Sequence, residues 1–317
     1  MHQKNYRSQK QNLYEHLPII KLSVIICTYN RAELLESCLE SFRHQTISDE
    51  QCEIIVVNNN STDNTPAVIQ AFAKYFKNLK AVFEPNQGLS HARNRGYKEA
   101  KADWVIYIDD DGKAHPNLVE QTFLVIDQYD FHCFGGVYLP WYKYGKSRWL
   151  PPNFGTNKLN KPKSITQIGR EVYLSGGVLA FNKTTLEKFN GFDPTIGMNG
   201  KKVSYGEEIR LQILMHNKGY KLGFNPDLKI DHLVNIHKLT KRWLLESAYA
   251  NGRDYWHAFN KKKSILTLLR TTLKHFYNSI KEITGVFSGK TYLIQWYFSF
   301  RRSISFTYGL LGSFRKS

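Results

Sequence analysis

Short apolar runs rich in β-branched residues alternate with amphipathic stretches over the first third of the chain. Leu22–Cys27 reads LSVIIC, the near-continuous apolar pattern of a strand buried on both faces of a parallel sheet. From Arg31 to His44 the apolar residues Leu34, Leu35, Cys38, Leu39 and Phe42 recur at three- and four-residue steps, which predicts a helix with one buried stripe. Glu53–Val57 predicts a second strand. Thr65-Pro66 then supplies an N-cap and a first helical residue for a helix carrying Val68, Ile69, Phe72 and Phe76. Leu79–Phe83, Leu89–Ala100 and Trp104–Ile108 continue as strand, helix and strand. Such a βαβαβαβ series predicts an α/β fold, an open, mostly parallel sheet wound with helices on both faces. Ligands of these sheets lie beyond the carboxyl ends of the strands. The residues there are polar: Thr28-Tyr29-Asn30-Arg31, Asn58-Asn59-Asn60-Ser61, Glu84-Pro85-Asn86 and Asp109-Asp110-Asp111.

Composition bounds the class. With 317 residues, 42% hydrophobic and 14% aromatic, the chain supplies a sizeable core and is neither a disordered tail nor a disulfide-stapled miniprotein. Cys27, Cys38, Cys52 and Cys133 show no CxxC pair or metal-type spacing and read as reduced cysteines of a cytosolic protein. The polar start, MHQKNYR, has no apolar signal region, and no run reaches the ~18 apolar residues of a membrane span. A soluble or peripheral protein is expected.

The charge changes the picture of the C-terminal part. Of the net +17, the 80 residues from Lys238 onward carry +12, from 15 Lys/Arg against Glu246, Asp254 and Glu282. Three segments are therefore expected: a polar extension (1–20), a catalytic body (21–237) and a basic, aromatic, helical appendage (238–317). Within the appendage Ile265, Leu268, Leu269, Thr272, Phe276, Ile280 and Ile283 recur at helical spacing, with Arg270, Lys274 and Lys281 among them. An apolar face beside a basic one fits an anionic membrane surface, and a helix packed on the body with a solvated basic face is the alternative. No recognised nucleic-acid motif accompanies the charge, so nucleic acid is not expected as a partner.

Chemistry concentrates at the strand ends. Residues two apart share a side of a strand, so Asp109 and Asp111 are expected to converge while Asp110 points away. Adjacent carboxylates repel unless a cation sits among them, and oxygen ligands suit Mn²⁺ or Mg²⁺ bridging to phosphate. No P-loop or dinucleotide glycine fingerprint is present. Asn86–Gly96 couples a loop to a helix start bearing Arg93 and Arg95, groups that favour phosphate. Glu207 and Glu208 open a further helix, where one of them could act as a general base. Trp141, Tyr142 and Trp149, among Pro140, Pro151 and Pro152, form an aromatic stretch that either faces a bound substrate or is an ordered packing loop, and Gly176-Gly177 suits a close backbone approach or a bulge.

Five motifs in this order, Ser23–Arg31, Val56–Asp63, Asn86–Gly96, Asp109–Asp111 and Gly191-Phe192-Asp193 with Gly206-Glu207-Glu208, resemble the family-2 inverting glycosyltransferases of GT-A fold over roughly residues 20–235. The resemblance implies a place in bacterial polysaccharide or cell-envelope glycan synthesis. It implies that Thr28, Tyr29, Asn30 and Arg31 line the nucleoside end, and that Asn86, Arg93, Asp109 and Asp110 contact the donor. Asp109 and Asp111 match the metal-binding DxD pair, and His232 matches a histidine that completes the metal shell in some members. Glu208 aligns with the catalytic base and Glu207 with its companion acid. Two positions depart from the family: Glu208 is one methylene longer than the usual Asp, and Asn58 replaces an Asp that reads the pyrimidine edge. An Asn carbonyl still accepts from uracil or thymine N3–H and its amide can donate to O4, so UDP-sugars rank first, dTDP-sugars second, and GDP-sugars are discounted.

The expected activity is metal-dependent transfer of a sugar, with inversion, from a nucleotide-sugar to a hydroxyl of a glycan or lipid-linked glycan. The expected location is the cytoplasmic face of the membrane. The rivals are a nucleotidyltransferase, disfavoured because Thr28–Arg31 stands where a glycine-rich loop belongs, and a degenerate glycan-binding subunit, disfavoured by the intact acids.

Overall fold

The computed structural model describes residues 20–315 except 48, 148, 152, 158–161, 201–202 and 288–291; the polar extension lies, but for Ile20, outside the described residues, as does Pro152. One sheet holds β1 (Leu22–Thr28), β2 (Cys52–Asn58), β3 (Leu79–Phe83), β4 (Trp104–Asp109), β5 (Gly112–Ala114), β6 (Cys133–Trp141), β7 (Thr166–Gln167), β8 (Val178–Asn182) and β9 (Leu222–Leu233). Its order is β3-β2-β1-β4-β8-β6-β9-β5, with β7 also paired to β9. The half from β3 to β4 is parallel, and β8 runs antiparallel to β4, so the sheet is mixed beyond the series legible in the first hundred residues.

Alternate residues of each central strand serve opposite faces. Val24, Ile26, Ile54 and Ile106 share a core with α1 (Ala32–Phe42), α2 (Thr65–Phe72) and α4 (Leu118–Gln128). Ile25, Ile55, Val105 and Tyr107 share the other with α3 (Leu89–Glu99), α5 (Lys183–Lys188) and α6 (Glu207–Asn217). Burial on both sides explains the unbroken apolar runs. One start differs from expectation: Asn64 is the N-cap of α2, and Thr65 is its first residue. The cause is Asp63, whose carboxylate accepts the Thr65 N–H (3.0 Å) and hydroxyl (2.6 Å).

The basic appendage consists of α7 (Lys241–Ala258), α8 (Ile265–Phe287) and α9 (Leu293–Phe314), preceded by a 3₁₀ turn at Ile236–Leu239. Two glycines set the α7–α9 crossing. A Cβ on Gly252 would lie 1.9 Å from the Phe306 carbonyl oxygen, and one on Gly309 would lie 2.1 Å from that of Tyr249. Around this contact Ala248, Trp256, Phe306 and Leu310 form a third small core. The appendage is also joined to the body. The Asp254 carboxylate of α7 accepts Ser204 Oγ (2.8 Å) and the Tyr205 N–H (3.1 Å), while Gln295 of α9 donates to the Leu150 carbonyl (2.9 Å). Among the described residues, no helix is long and apolar enough to cross a membrane.

Candidate active site

A cavity of about 490 Å³ opens at the carboxyl ends of β1 and β4, closed by the end of β9, the start of α6 and one flank of α7. Thr28, Tyr29, Arg31, Arg93, Asp109, Asp110, Asp111, Glu207, Glu208 and His232 all line it, so most of the residues singled out in the sequence meet in one place.

β4 ends at Asp109, and Asp110-Asp111 turn away from the sheet toward β5. Asp109 and Asp111 still converge, because β5 pairs with β9 in a register that sets Gly112 opposite His232. His232 Nε2 lies 3.1 Å from Asp111 and 3.7 Å from Asp109, and one ligand atom from each of the three fits within 4.8 Å of the others. Asp110 turns instead to Arg31, 2.9 Å from its guanidinium. Cations crowd Asp111: besides His232, Arg31 lies at 3.6 Å and Lys238 at 3.9 Å. Burial opposes its charge, but His232, Lys238 and Arg31 hold its carboxyl far below the usual range. Burial likewise opposes a charged His232, yet Asp111 and Asp109 raise the imidazole to about 9. Two carboxylates and an imidazole within reach of one point, facing a cavity, fit a divalent ion of the Mn²⁺ or Mg²⁺ type.

Arg93 is a buried hub. From α3 it reaches Glu207 at 2.8 Å, the Gly176 carbonyl at 3.3 Å and Asp109 at 3.6 Å. Gly176 makes room for it, since a Cβ there would lie 2.5 Å from the guanidinium. The expected close approach at Gly176 is thus to an arginine of the protein. This arrangement gives Glu207 a fixed partner and leaves Glu208, the next residue, facing the cavity. Burial first, then repulsion from Glu207, pushes the Glu208 carboxyl up to about 8. A carboxylate so perturbed, beside a cleft, suits proton abstraction near neutral pH.

Three asparagines assigned to the donor do not line the cavity. Asn58 Oδ1 accepts the Ser61 N–H (2.9 Å), Asn30 Oδ1 accepts the Thr62 N–H (2.7 Å), and the Asn86 amide donates to Glu84 (2.9 Å). Their carboxamides brace the loops after β1, β2 and β3, which is the ordinary use of Asn at turns. The argument that Asn58 reads a pyrimidine edge loses its geometric support. Asn59 borders the cavity in its place, but it too is spent on loops, accepting the Gly88 N–H (2.8 Å) and donating to the Asn86 carbonyl (2.6 Å).

The aromatic stretch follows the packing alternative. Trp141 lies under Lys113 (3.8 Å to the ring), Tyr142 donates to the Phe154 carbonyl, and Trp149 packs on Phe298 at 5.0 Å. The aromatic wall of the cavity is built instead by Tyr138, Phe154, Tyr205 and Trp243. Trp243 comes from α7, so the appendage contributes to the site. Lys238 and Trp243 were hidden in the sequence by the charge around them, and Tyr138 by its place in a strand with no flanking motif.

Comparison with known proteins gives the class. The profile of glycosyl transferase family 2 matches residues 23–188, just over half of the chain, and the chain belongs to this family. It is a glycosyltransferase, with a GT-A-like fold. The glucosyl-dolichyl phosphate glucuronosyltransferase of Haloferax volcanii is 24% identical over 254 residues, 77% of each chain. The curated relatives first matched are covered over 28–77% of their length. Among solved structures, the mannosyltransferase PcManGT of Pyrobaculum calidifontis, in complex with GDP-Man and Mn²⁺, superposes with a TM-score of 0.62 at 16% identity, covering 97% of this chain and 93% of that one. Staphylococcus aureus TarS (1–349), in complex with UDP-GlcNAc, gives a TM-score of 0.52 at 15% identity, covering 93% and 92%.

Proposed function

We propose that this glycosyltransferase moves a sugar from a nucleotide-sugar to a hydroxyl of a glycan or lipid-linked glycan, with inversion at the anomeric carbon and a divalent ion in place. One observation carries the reading: the Asp109–Asp111–His232 group and Glu208 border the same cavity, linked behind it by Arg93 through Asp109 and Glu207. Asp109, Asp111 and His232 would hold Mn²⁺ or Mg²⁺, which supplies charge neutralisation to the donor's diphosphate when bound. Arg31 and Lys238, whose cationic groups sit beside Asp111, face the same diphosphate and oppose the negative charge it gains as the anomeric C–O bond breaks. Thr28 and Tyr29 border the nucleoside end. Glu208 takes the proton of the acceptor hydroxyl while that oxygen bonds to the anomeric carbon from the opposite face. Glu207, fixed by Arg93, orients Glu208.

A UDP-sugar is the first donor reading, supported by the UDP-GlcNAc bound to TarS, and a dTDP-sugar the second. The PcManGT complex argues for including GDP-sugars in the test. The reading places the enzyme in the cytoplasm, peripheral on the membrane, working on envelope or polysaccharide glycans, as the dolichyl phosphate substrate in the Haloferax relative's name suggests. The test is a panel of UDP-, dTDP- and GDP-sugars with Mn²⁺ and lipid-linked acceptors, following release of the nucleoside diphosphate. Release that needs both acceptor and metal is expected. Release of pyrophosphate from a nucleoside triphosphate and a sugar phosphate would overturn the reading.

A further inference from the structure

Among the described residues, one face of α8 is packed on the protein and the opposite, apolar face is not. Toward the protein, Thr271 donates to the Tyr255 hydroxyl (3.2 Å), Ser279 meets Ser303 (2.6 Å), and Leu268 packs against the α7–α9 core. On the opposite side Leu266, Leu269, Leu273, Tyr277, Ile280 and Phe287 stand in solvent, from 53% to 86% exposed. At 100° per residue these six fall within one narrow stripe along the helix. Arg270, Lys274 and Lys281, all exposed, form a row along one border of that stripe. At the start of α9, Tyr292, Leu293 and Tyr297 are exposed as well.

Single exposed apolar residues are ordinary, but a six-residue stripe with a cationic edge marks a contact surface. Charge selects the occupant. The segment from Lys238 to the end carries +12, and α8 itself has one acid, Glu282, so two copies meeting through this face would bring their basic rows together. An anionic bilayer interface accepts both the stripe and the row. We propose that the exposed face of α8 docks on an anionic membrane surface, deepening the lipid-linked acceptor reading above by setting the cavity beside the bilayer. The connection to the cavity runs through α7. α8 is tied to α7 through Thr271 and Tyr255, and α7 in turn supplies Trp243 to the cavity and holds Ser204 and Tyr205 ahead of Glu207.

The test is co-sedimentation of the full chain with phosphatidylcholine vesicles, with and without 30 mol% phosphatidylglycerol (about one anionic lipid in three), in the absence of nucleotide. Binding is expected only with the anionic lipid and is expected to weaken as salt is raised. Arg270→Glu with Lys274→Glu and Lys281→Glu should lower partitioning roughly 100-fold, at about tenfold or less per charge. Leu269→Glu with Leu273→Glu and Ile280→Glu should abolish it, with an unchanged thermal unfolding midpoint reporting that the fold is intact. Equal binding to neutral vesicles, no effect of either triple variant, or a dimer in solution that is lost in the leucine variant would overturn the proposal. Sedimentation reads no chemistry: binding without sugar transfer sinks the donor–acceptor reading alone, and transfer to a short soluble acceptor without vesicle binding sinks this one alone.

Discussion

Arg93 and Glu207 form a buried ion pair at 2.8 Å, with side chains 3% and 6% exposed. The sequence offered Arg93 as a ligand of the donor diphosphate, because arginines at a helix start favour phosphate. The fold spends most of its fork on the protein itself, on Glu207, the Gly176 carbonyl and the neighbourhood of Asp109. Removing one partner of such a pair strands the other charge in a dry site. Arg93→Met is therefore expected to cost about 3–5 kcal/mol of stability, and the further change Glu207→Leu to recover most of it. The midpoints of guanidinium unfolding for the two single variants and the double variant measure this coupling. A double variant no more stable than Arg93→Met would mean that the pair is not the source.

Glu208 is held where its charged form is disfavoured, so function and stability oppose each other at this position. Glu208→Gln keeps the shape and removes the charge. Transfer should fall by about 10²–10⁴-fold, the usual contribution of a general base, while nucleotide affinity stays within a factor of about two. The folded carboxyl titrates near 8, above its unfolded value, so Glu208 penalises the folded state progressively as pH rises above the unfolded pKa. The variant should accordingly melt about 2 °C higher at neutral pH. Single-turnover transfer and calorimetry on the same preparation test both halves.

How much of this was readable beforehand follows from where the forces are local. The β1–β4 series was legible because each strand is buried on both faces, and the acids at its tip because few other roles suit three carboxylates there. His232 could not be placed by periodicity, since it reaches Asp111 only through the β5–β9 register, a contact between residues 112 and 232. Asn30, Asn58 and Asn86 were ambiguous because a turn asparagine and a ligand asparagine occupy the same positions after a strand. Trp149 was open between ligand and packing for the opposite reason: its partner, Phe298, lies in α9, across a contact that no local pattern encodes. The appendage was legible as basic and amphipathic, but the split between the packed α7 and α9 and the outward stripe of α8 depends on Gly252 and Gly309, which let two helices touch.

The pH profile should show the base directly. Glu208 must be ionised to accept the acceptor proton, and burial together with Glu207 raises its carboxyl to about 8. The transfer rate should climb about tenfold per pH unit below that point and level off above it. The limb should disappear in Glu208→Gln, whose residual rate has no base to titrate. A profile already flat from pH 6 upward in the parent enzyme would assign the proton to another group.

The metal reading turns on Asp111, which is buried, sits beside His232 and is too strongly surrounded by cations to be an idle surface acid. Asp111→Asn preserves its size and removes the charge that attracts a divalent ion. Mn²⁺ affinity, read by electron paramagnetic resonance of the free ion in the presence of UDP, should drop by more than about tenfold. His232→Gln should produce a smaller loss in the same assay, because two carboxylates remain to hold a hard cation. Equal Mn²⁺ binding in the parent and in Asp111→Asn would move the ion away from the tip of β4, and Arg31 and Lys238 would then be the groups left to bind the diphosphate.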